Sequence, residues 1–115
     1  MEAYAVARYI RISPRKARQV ADLVRGKSVQ DALGILALTP KKASPLLRKT
    51  ILSAKANVQV KTVDGTVLAD AQVRIKEIKI DEGPTMKRIR PRSQGRAFKI
   101  LKRMSHIQVT VETMD

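Results

Sequence analysis

Eight basic side chains, Lys87, Arg88, Arg90, Arg92, Arg96, Lys99, Lys102 and Arg103, lie between Gly83 and Arg103, and no acid occurs from residue 83 to 111. Such a run cannot pair with itself, so its counter-charges come from elsewhere. Arginine outnumbers lysine in it, and the planar guanidinium fork grips a phosphate through two parallel hydrogen bonds. The chemistry indicated is polyanion binding; the bland alternative is a solvated cationic face. A second basic set, Arg8, Arg11, Arg15, Lys16, Arg18, Arg25 and Lys27, falls in the first quarter of the chain. A helix starting near Pro14 would add free backbone N–H groups, an anion site, beside Arg15 and Lys16.

Catalytic patterns are weak by comparison. Gly26-Lys27-Ser28 matches the end of a phosphate-binding loop, but the glycine needed at position 21 is Ala21, and a helix rather than a strand precedes it. His106 is the only histidine and there is no cysteine, so a zinc site would need several carboxylates where acids are scarce. The flanking Lys102 and Arg103 do not suit His106 as a general base; a strand residue near a phosphate, or one packed at a sheet margin, is the better reading. Asp81 and Glu82 are adjacent, and neighbours on a strand point to opposite faces, so they form no acid/base pair. Met86 and Met104 read as apolar contacts. No catalytic residue, metal or cofactor is therefore expected, and the chain is not read as an enzyme.

The elements that must position the basic residues follow from periodicity. Residues 3–12 read as a strand, with Tyr4, Val6, Ile10 and Ile12 on one face and Arg8 breaking the series. Ser13-Pro14 supplies an N-cap and a first-turn proline, and Gly26 a stop. On that helix Ala17, Val20 and Val24 make an apolar stripe, with Arg15, Arg18 and Arg25 roughly opposite. Ser28-x-x-Asp31 resembles a capping box before a helix carrying Val29, Ala32, Leu33, Leu36 and Ala37, ended by Thr39-Pro40. Ser44-Pro45 is expected to open a third helix to about residue 61, with Leu47, Ile51, Ala54 and Val58 inward. Asp64-Gly65 reads as a turn. Residues 71–80 are strand-like, with Val73 and Ile75 in one phase and Ile78 and Ile80 in the other, which predicts a bulge at Lys76-Glu77. Residues 98–111 show the same switch: Phe98, Ile100 and Met104 against Ile107, Val109 and Val111.

The fold expected is α+β: three helices packed on a three-stranded antiparallel sheet, in one domain over 1–115, with a long β-hairpin over about 71–111 and a basic tip loop over 83–97. A compact chain of this length has a radius of gyration of about 13 Å. Twenty residues of strand reach roughly 65 Å, so a hairpin turning near Pro91 would project well beyond the body.

Composition sets the partner class. Lysine and arginine total 24 against 10 acids, a net charge of +14. Self-repulsion at that charge is relieved by a polyanion, of which nucleic acid is the usual one. Hydrophobic residues make up 43% of the chain, enough for a core, but aromatics only 3%: Tyr4, Tyr9 and Phe98. So few rings argue against a base-stacking platform. No run approaches the roughly 18 apolar residues of a membrane span, and the opening residues, with Arg8 and Arg11, read as mature structure rather than a signal. A groove-reading regulator is disfavoured because residues 29–38 carry only Asp31 as a charge. A membrane-surface binder is disfavoured because the first helix has only Ala and Val on its apolar side.

Three stretches together are specific. Asp81-Glu82-Gly83-Pro84-x-Met86-Lys87-Arg88, Pro91-Arg92-x-x-Gly95-Arg96-Ala97 and Lys102-Arg103-x-Ser105-His106-Ile107 resemble the bacterial-type L-twenty-two family of large-subunit ribosomal proteins. Arg11-Ile12-Ser13-Pro14-Arg15-Lys16, Arg25-Gly26-Lys27 and Ser53-Ala54-Lys55-Ala56-Asn57 resemble it too, in the same order along nearly the whole chain. The resemblance implies a cytoplasmic structural component of the large ribosomal subunit that binds 23S-type ribosomal RNA and assists assembly. It implies a monomer, touching neighbouring ribosomal proteins and no membrane. The hairpin would line the nascent-polypeptide exit tunnel, with Met86, Lys87, Arg88, Ile89, Arg90 and Pro91 at its tip. The RNA-binding residues would be Arg11, Arg15, Lys16, Arg18, Arg25 and Lys27 on the body and the eight basic residues of the hairpin.

Overall fold

The computed structural model describes residues 1–61, 67–91 and 97–113, with backbone alone for 86–91 and 97–102. Strand β1 (Glu2–Ile10) leads into helices α1 (Pro14–Val24), α2 (Val29–Ala37) and α3 (Ala43–Val60). A short 3₁₀ turn at Asp70–Gln72 precedes β2 (Val73–Glu82), followed by β3 (Met86–Pro91), β4 (Ala97–Lys102) and β5 (Ser105–Thr113). The expected α+β architecture is present: β1, β5 and β2 form an antiparallel sheet with β5 in the middle, and the helices cover one face of it. The Asp64-Gly65 turn lies outside the described residues.

Local chemistry accounts for two of the helix starts. Ser13 takes the Lys16 N–H on its side-chain oxygen at 3.2 Å, and Ser28 takes that of Asp31 at 3.1 Å; each cap is worth about 1 kcal/mol. After α1 the chain reverses through Gly26 at φ +81°, a conformation a Cβ would oppose. The third start differs from expectation. Helix α3 begins at Ala43, one residue before Ser44, so Ser44 sits inside the first turn, 3% exposed, and its hydroxyl has no partner. The cap position is Lys42, whose side chain makes no capping bond and instead donates to the Arg11 carbonyl at 3.0 Å.

The core is aliphatic. Leu47, Ile51, Ala54 and Val58 of α3 are fully buried over β1 and β5, against Ile107, Val109 and Val111. Val73, Ile75, Ile78 and Ile80 of β2 are all buried, which is possible only because the register shifts between Ile75 and Glu77, at the predicted bulge. Strand β1 departs from its expected phase. Its inward residues are Ala3 and Ala5, while Tyr4 is 60% exposed and Val6 is also exposed. Helix α3 lies against this strand, and alanine lets a helix approach closely where tyrosine would hold it off. The register of β1 also shifts, between Ala7 and Ile10, which restores Ile12 to the interior.

Beyond the sheet the β2–β5 pairing passes into the β3–β4 pairing, with Glu82 opposite Ser105 and then Met86 opposite Lys102. At the join Gly83 N–H donates to the Met104 carbonyl at 2.9 Å, and a Cβ on Gly83 would sit 3.2 Å from that oxygen. The ladder continues to Pro91 opposite Ala97, so pairing extends into the stretch expected as a tip loop. The molecule measures 67 × 25 × 16 Å, with a radius of gyration of 17.4 Å, well above the value for a compact body of this length.

The unpartnered hydroxyl of Ser44 offers a direct check on the start of α3. Removing a buried polar group that has no hydrogen bond is neutral or favourable. Ser44→Ala is therefore expected to leave the urea midpoint unchanged or to raise stability by up to about 1 kcal/mol, whereas a true N-cap serine would lose about that much.

Candidate nucleic-acid interface

Helix α1 displays its basic side chains because its apolar stripe is committed. Pro14, Ala17, Val20, Ala21 and Val24 face the core, which leaves Arg15, Lys16, Arg18 and Arg25 exposed, with Arg11 and Lys27 exposed on either side. Two of these are already engaged. Arg18 Nη2 donates to the Ile80 carbonyl at 2.8 Å, and Arg25 Nη2 to the Ile78 carbonyl at 3.0 Å. Being seven residues apart, they stand in one row of the helix and meet alternate residues of β2. Arg25 also pairs with Asp22 on its own helix. Arg18 and Arg25 thus tie α1 to the strand from which the hairpin springs, a role that sequence periodicity did not reveal.

The remaining body residues are differently placed. Lys16 lines a 370 Å³ groove with Gln19, Leu23, Lys41 and Lys42 between α1 and the start of α3. The Lys16 backbone N–H, one of the donors expected to face an anion, is taken by Ser13. Among the described residues Arg8, Arg11, Arg15, Lys16, Lys27 and Lys41 form no ion pair. Arg103 stands 3.6 Å from Glu82 at the root of the hairpin. For Lys87, Arg88, Arg90, Lys99 and Lys102 the structure gives strand positions: Lys87 is opposite Leu101, Arg88 opposite Ile100, Ile89 opposite Lys99 and Arg90 opposite Phe98. Arg92 and Arg96 lie outside the described residues.

Acids gather at the other end of the sheet. Glu2 pairs with Lys76, Asp70 with Lys55 and Glu112 with Arg74, and Glu77 stands 3.7 Å from Lys79. The hydrogen bond from Arg74 holds the Glu112 carboxyl below its ordinary value, partly offset by desolvation. The hydrogen bond to Glu2 likewise raises the Lys76 ammonium. Cations at this end have local partners, whereas the stretch from 83 to 111 contains no acid, and Arg103 reaches back to Glu82 at its root.

His106 lies on the central strand, on the sheet face that the helices leave open. Its Nδ1 accepts the Tyr9 N–H at 3.1 Å, so a neutral imidazole carries its proton on Nε2. The two rings meet edge to face at 5.0 Å. Tyr9 was not singled out from the sequence; the break in alternation at Arg8 was the available signal. Among the described residues no three of His, Asp and Glu converge as metal ligands, and no helix is long and apolar enough to cross a membrane.

Comparison with known proteins gives matches along nearly the whole chain. A profile for "Ribosomal protein L22p/L17e" matches residues 5–112. A protein of Desulfitobacterium hafniense strain Y51 named "Large ribosomal subunit protein uL22" is 56% identical over 110 residues, covering 96% of this chain and 93% of its own length. One of the same name from Maridesulfovibrio salexigens is 51% identical over 115 residues, covering 99% and 100%.

Two measurements separate the structural cations from the free ones. Arg18→Met and Arg25→Met should each lower the unfolding free energy by about 1 kcal/mol, since a β2 carbonyl loses its donor. Arg15→Met should change it by less than about 0.5 kcal/mol. For Glu112, a lowered folded value means a stabilising contribution that is present above the ordinary value of 4.5 and fades as pH falls through the folded one. Glu112→Gln should therefore melt slightly below wild type at pH 7, with the gap closing in acid below that range.

Proposed function

The chain belongs to the ribosomal protein L22p/L17e family and is a structural constituent of the large ribosomal subunit, not an enzyme; we propose that it works there by threading a cationic hairpin into folded 23S-type ribosomal RNA. The observation that carries this reading is the continuation of the β2–β5 pairing into β3–β4, on sequence without acids from 83 to 111, in a molecule 67 Å long. A projecting ladder of that charge is costly alone and favourable among phosphates, because each contact releases condensed counterions.

In this reading the chain acts as one unit over 1–115. The hairpin, about 71–111, is the inserted part, and Lys87, Arg88, Arg90, Arg92, Arg96, Lys99, Lys102 and Arg103 hold RNA backbone. Arg11, Arg15, Lys16 and Lys27 anchor the body on the RNA surface, joined by the outward parts of Arg18 and Arg25. Contacts read RNA shape and phosphate positions more than base sequence. Met86, Lys87, Arg88, Ile89, Arg90 and Pro91 form part of the wall of the nascent-polypeptide exit tunnel. The protein enters as a monomer in the cytoplasm, assists assembly by bridging RNA segments, and touches neighbouring large-subunit proteins and the nascent chain.

The double charge reversal Arg88→Glu with Arg92→Glu tests this. The variant should keep the wild-type circular dichroism and melting temperature, since the buried cluster of the described residues is built from the helices and from β1, β2 and β5. It should be depleted from large subunits in a sucrose gradient. Its binding to refolded ribosomal RNA should lose salt dependence, the slope of log affinity against log salt falling by roughly two. Normal incorporation of a folded variant would refute the hairpin assignment.

A further inference from the structure

Tyr9 is the only non-glycine residue among those described with a positive φ, +57°. A bulky L-residue is rarely held there, and such strain persists where surrounding structure over-determines it, often at functional sites. The holding group is His106. With the β1 register interrupted between Ala7 and Ile10, the Tyr9 N–H leaves the strand ladder and donates to the imidazole at 3.1 Å. The interruption also decides where the ring goes. Ala3 and Ala5 point inward, so regular alternation would send residue 9 to the same side, beneath the helices. The bulge re-aims it, leaving the ring 62% exposed on the open face, braced edge-on by His106.

Core packing does not explain an aromatic ring turned outward at the expense of backbone strain. The surroundings supply a use. A 170 Å³ cleft beside the ring is lined by Val6, Arg8, Tyr9, Asp81, His106 and Gln108. Asp81 is the register partner of His106, which brings a carboxylate acceptor next to the imidazole. Gln108 offers an amide that both donates and accepts, and Arg8 a cation without an ion-pair partner among the described residues. A fixed ring face, hydrogen-bonding groups beside it and a free cation are what recognition of an unstacked base requires.

We propose that Tyr9 and His106 form a subsite for one unpaired nucleobase of RNA. The base stacks on the phenol ring held by His106. Asp81 accepts from its N–H groups, which favours a base presenting donors on that side. Gln108 completes the hydrogen bonding, and Arg8 neutralises the adjoining phosphate. This subsite rests on the RNA-binding reading above, but lies on the open sheet face at the root of the hairpin, apart from the basic β3–β4 ladder.

Base-specific chemical probing of refolded large-subunit ribosomal RNA tests it, with wild type, Tyr9→Phe, Tyr9→Leu and Tyr9→Gly. An unpaired base shielded by wild type and Tyr9→Phe should regain reactivity with Tyr9→Leu and Tyr9→Gly, while the other protections remain. Affinity should fall about tenfold in those two variants, as expected for one lost base–aromatic stack. Glycine accepts the backbone angle without strain, so Tyr9→Gly should melt no lower than wild type, which separates loss of the ring from loss of the fold. Unchanged protections and affinity in Tyr9→Leu and Tyr9→Gly would overturn the subsite and leave the hairpin reading standing. A marked drop in the melting temperature of Tyr9→Gly would overturn it too, by making the residue a fold element. A wild-type protein that protects no base, and binds ribosomal RNA no better than unrelated structured RNA, would remove the RNA reading and the subsite together.

Discussion

Strand β5 is hydrogen-bonded along both sides, to β1 on one and β2 on the other, and its inward residues Ser105, Ile107, Val109 and Val111 are completely buried. Everything else is referred to it. Helix α3 packs across β1 and β5, the other two helices pack on α3 and β2, and the hairpin prolongs the β2–β5 pairing outward. The Ser105 hydroxyl, buried, donates to the Ile12 carbonyl at 2.7 Å, so even the link from β1 to α1 is fixed from β5. A rigid root is what lets an extended cationic ladder have a defined direction, since an isolated two-stranded ribbon is marginal in water.

The body and the hairpin solve different charge problems. On the body, cations near the chain ends of the sheet have carboxylate partners in Glu2, Asp70 and Glu112, and two arginines of α1 are spent on backbone carbonyls. An arginine in such a position can still present its remaining N–H donors to a phosphate, because the guanidinium carries five. Structural tethering and phosphate binding are therefore compatible in Arg18 and Arg25, and a loss of RNA binding on mutation at either position would contain both effects. Arg15 and Lys16 do not carry that ambiguity.

Much of this was legible in the sequence because the pattern was strong and local. Ser13-Pro14 and Ser28 cap their helices as their types dictate, and the phase switch at Lys76-Glu77 appears as a register shift. The face of β1 was not legible, because apolar alternation ranks Tyr4 and Val6 above the small Ala3 and Ala5, and only the approach of α3 makes alanine the better inward residue. Ser44 misled for a related reason: a Ser-Pro pair is an equally good helix start one residue earlier or later, and burial at Leu47 and Ile51 settles the phase. Of the interface, the basic composition and its acid-free stretch were plain. The bonds from Arg18 and Arg25 to β2, and the meeting of Tyr9 with His106, join residues more than fifty positions apart, and nothing in local periodicity encodes them.

The contacts between α1 and β2 also bear on the protein on its own, outside any assembly. Strand β2 is an edge of the sheet, and an edge with vacant N–H and C=O groups templates the addition of strands from other molecules. Here the Ile75 N–H is taken by the Lys27 carbonyl at 2.9 Å, and the Ile78 and Ile80 carbonyls are taken by Arg25 and Arg18. With Lys76 bulged out of register between them, this margin offers an incoming strand no straight line, and three of its hydrogen-bonding groups are already engaged. At this edge, a chain rich in isoleucine and valine strands is guarded against edge-to-edge aggregation by the same helix whose outer surface is basic.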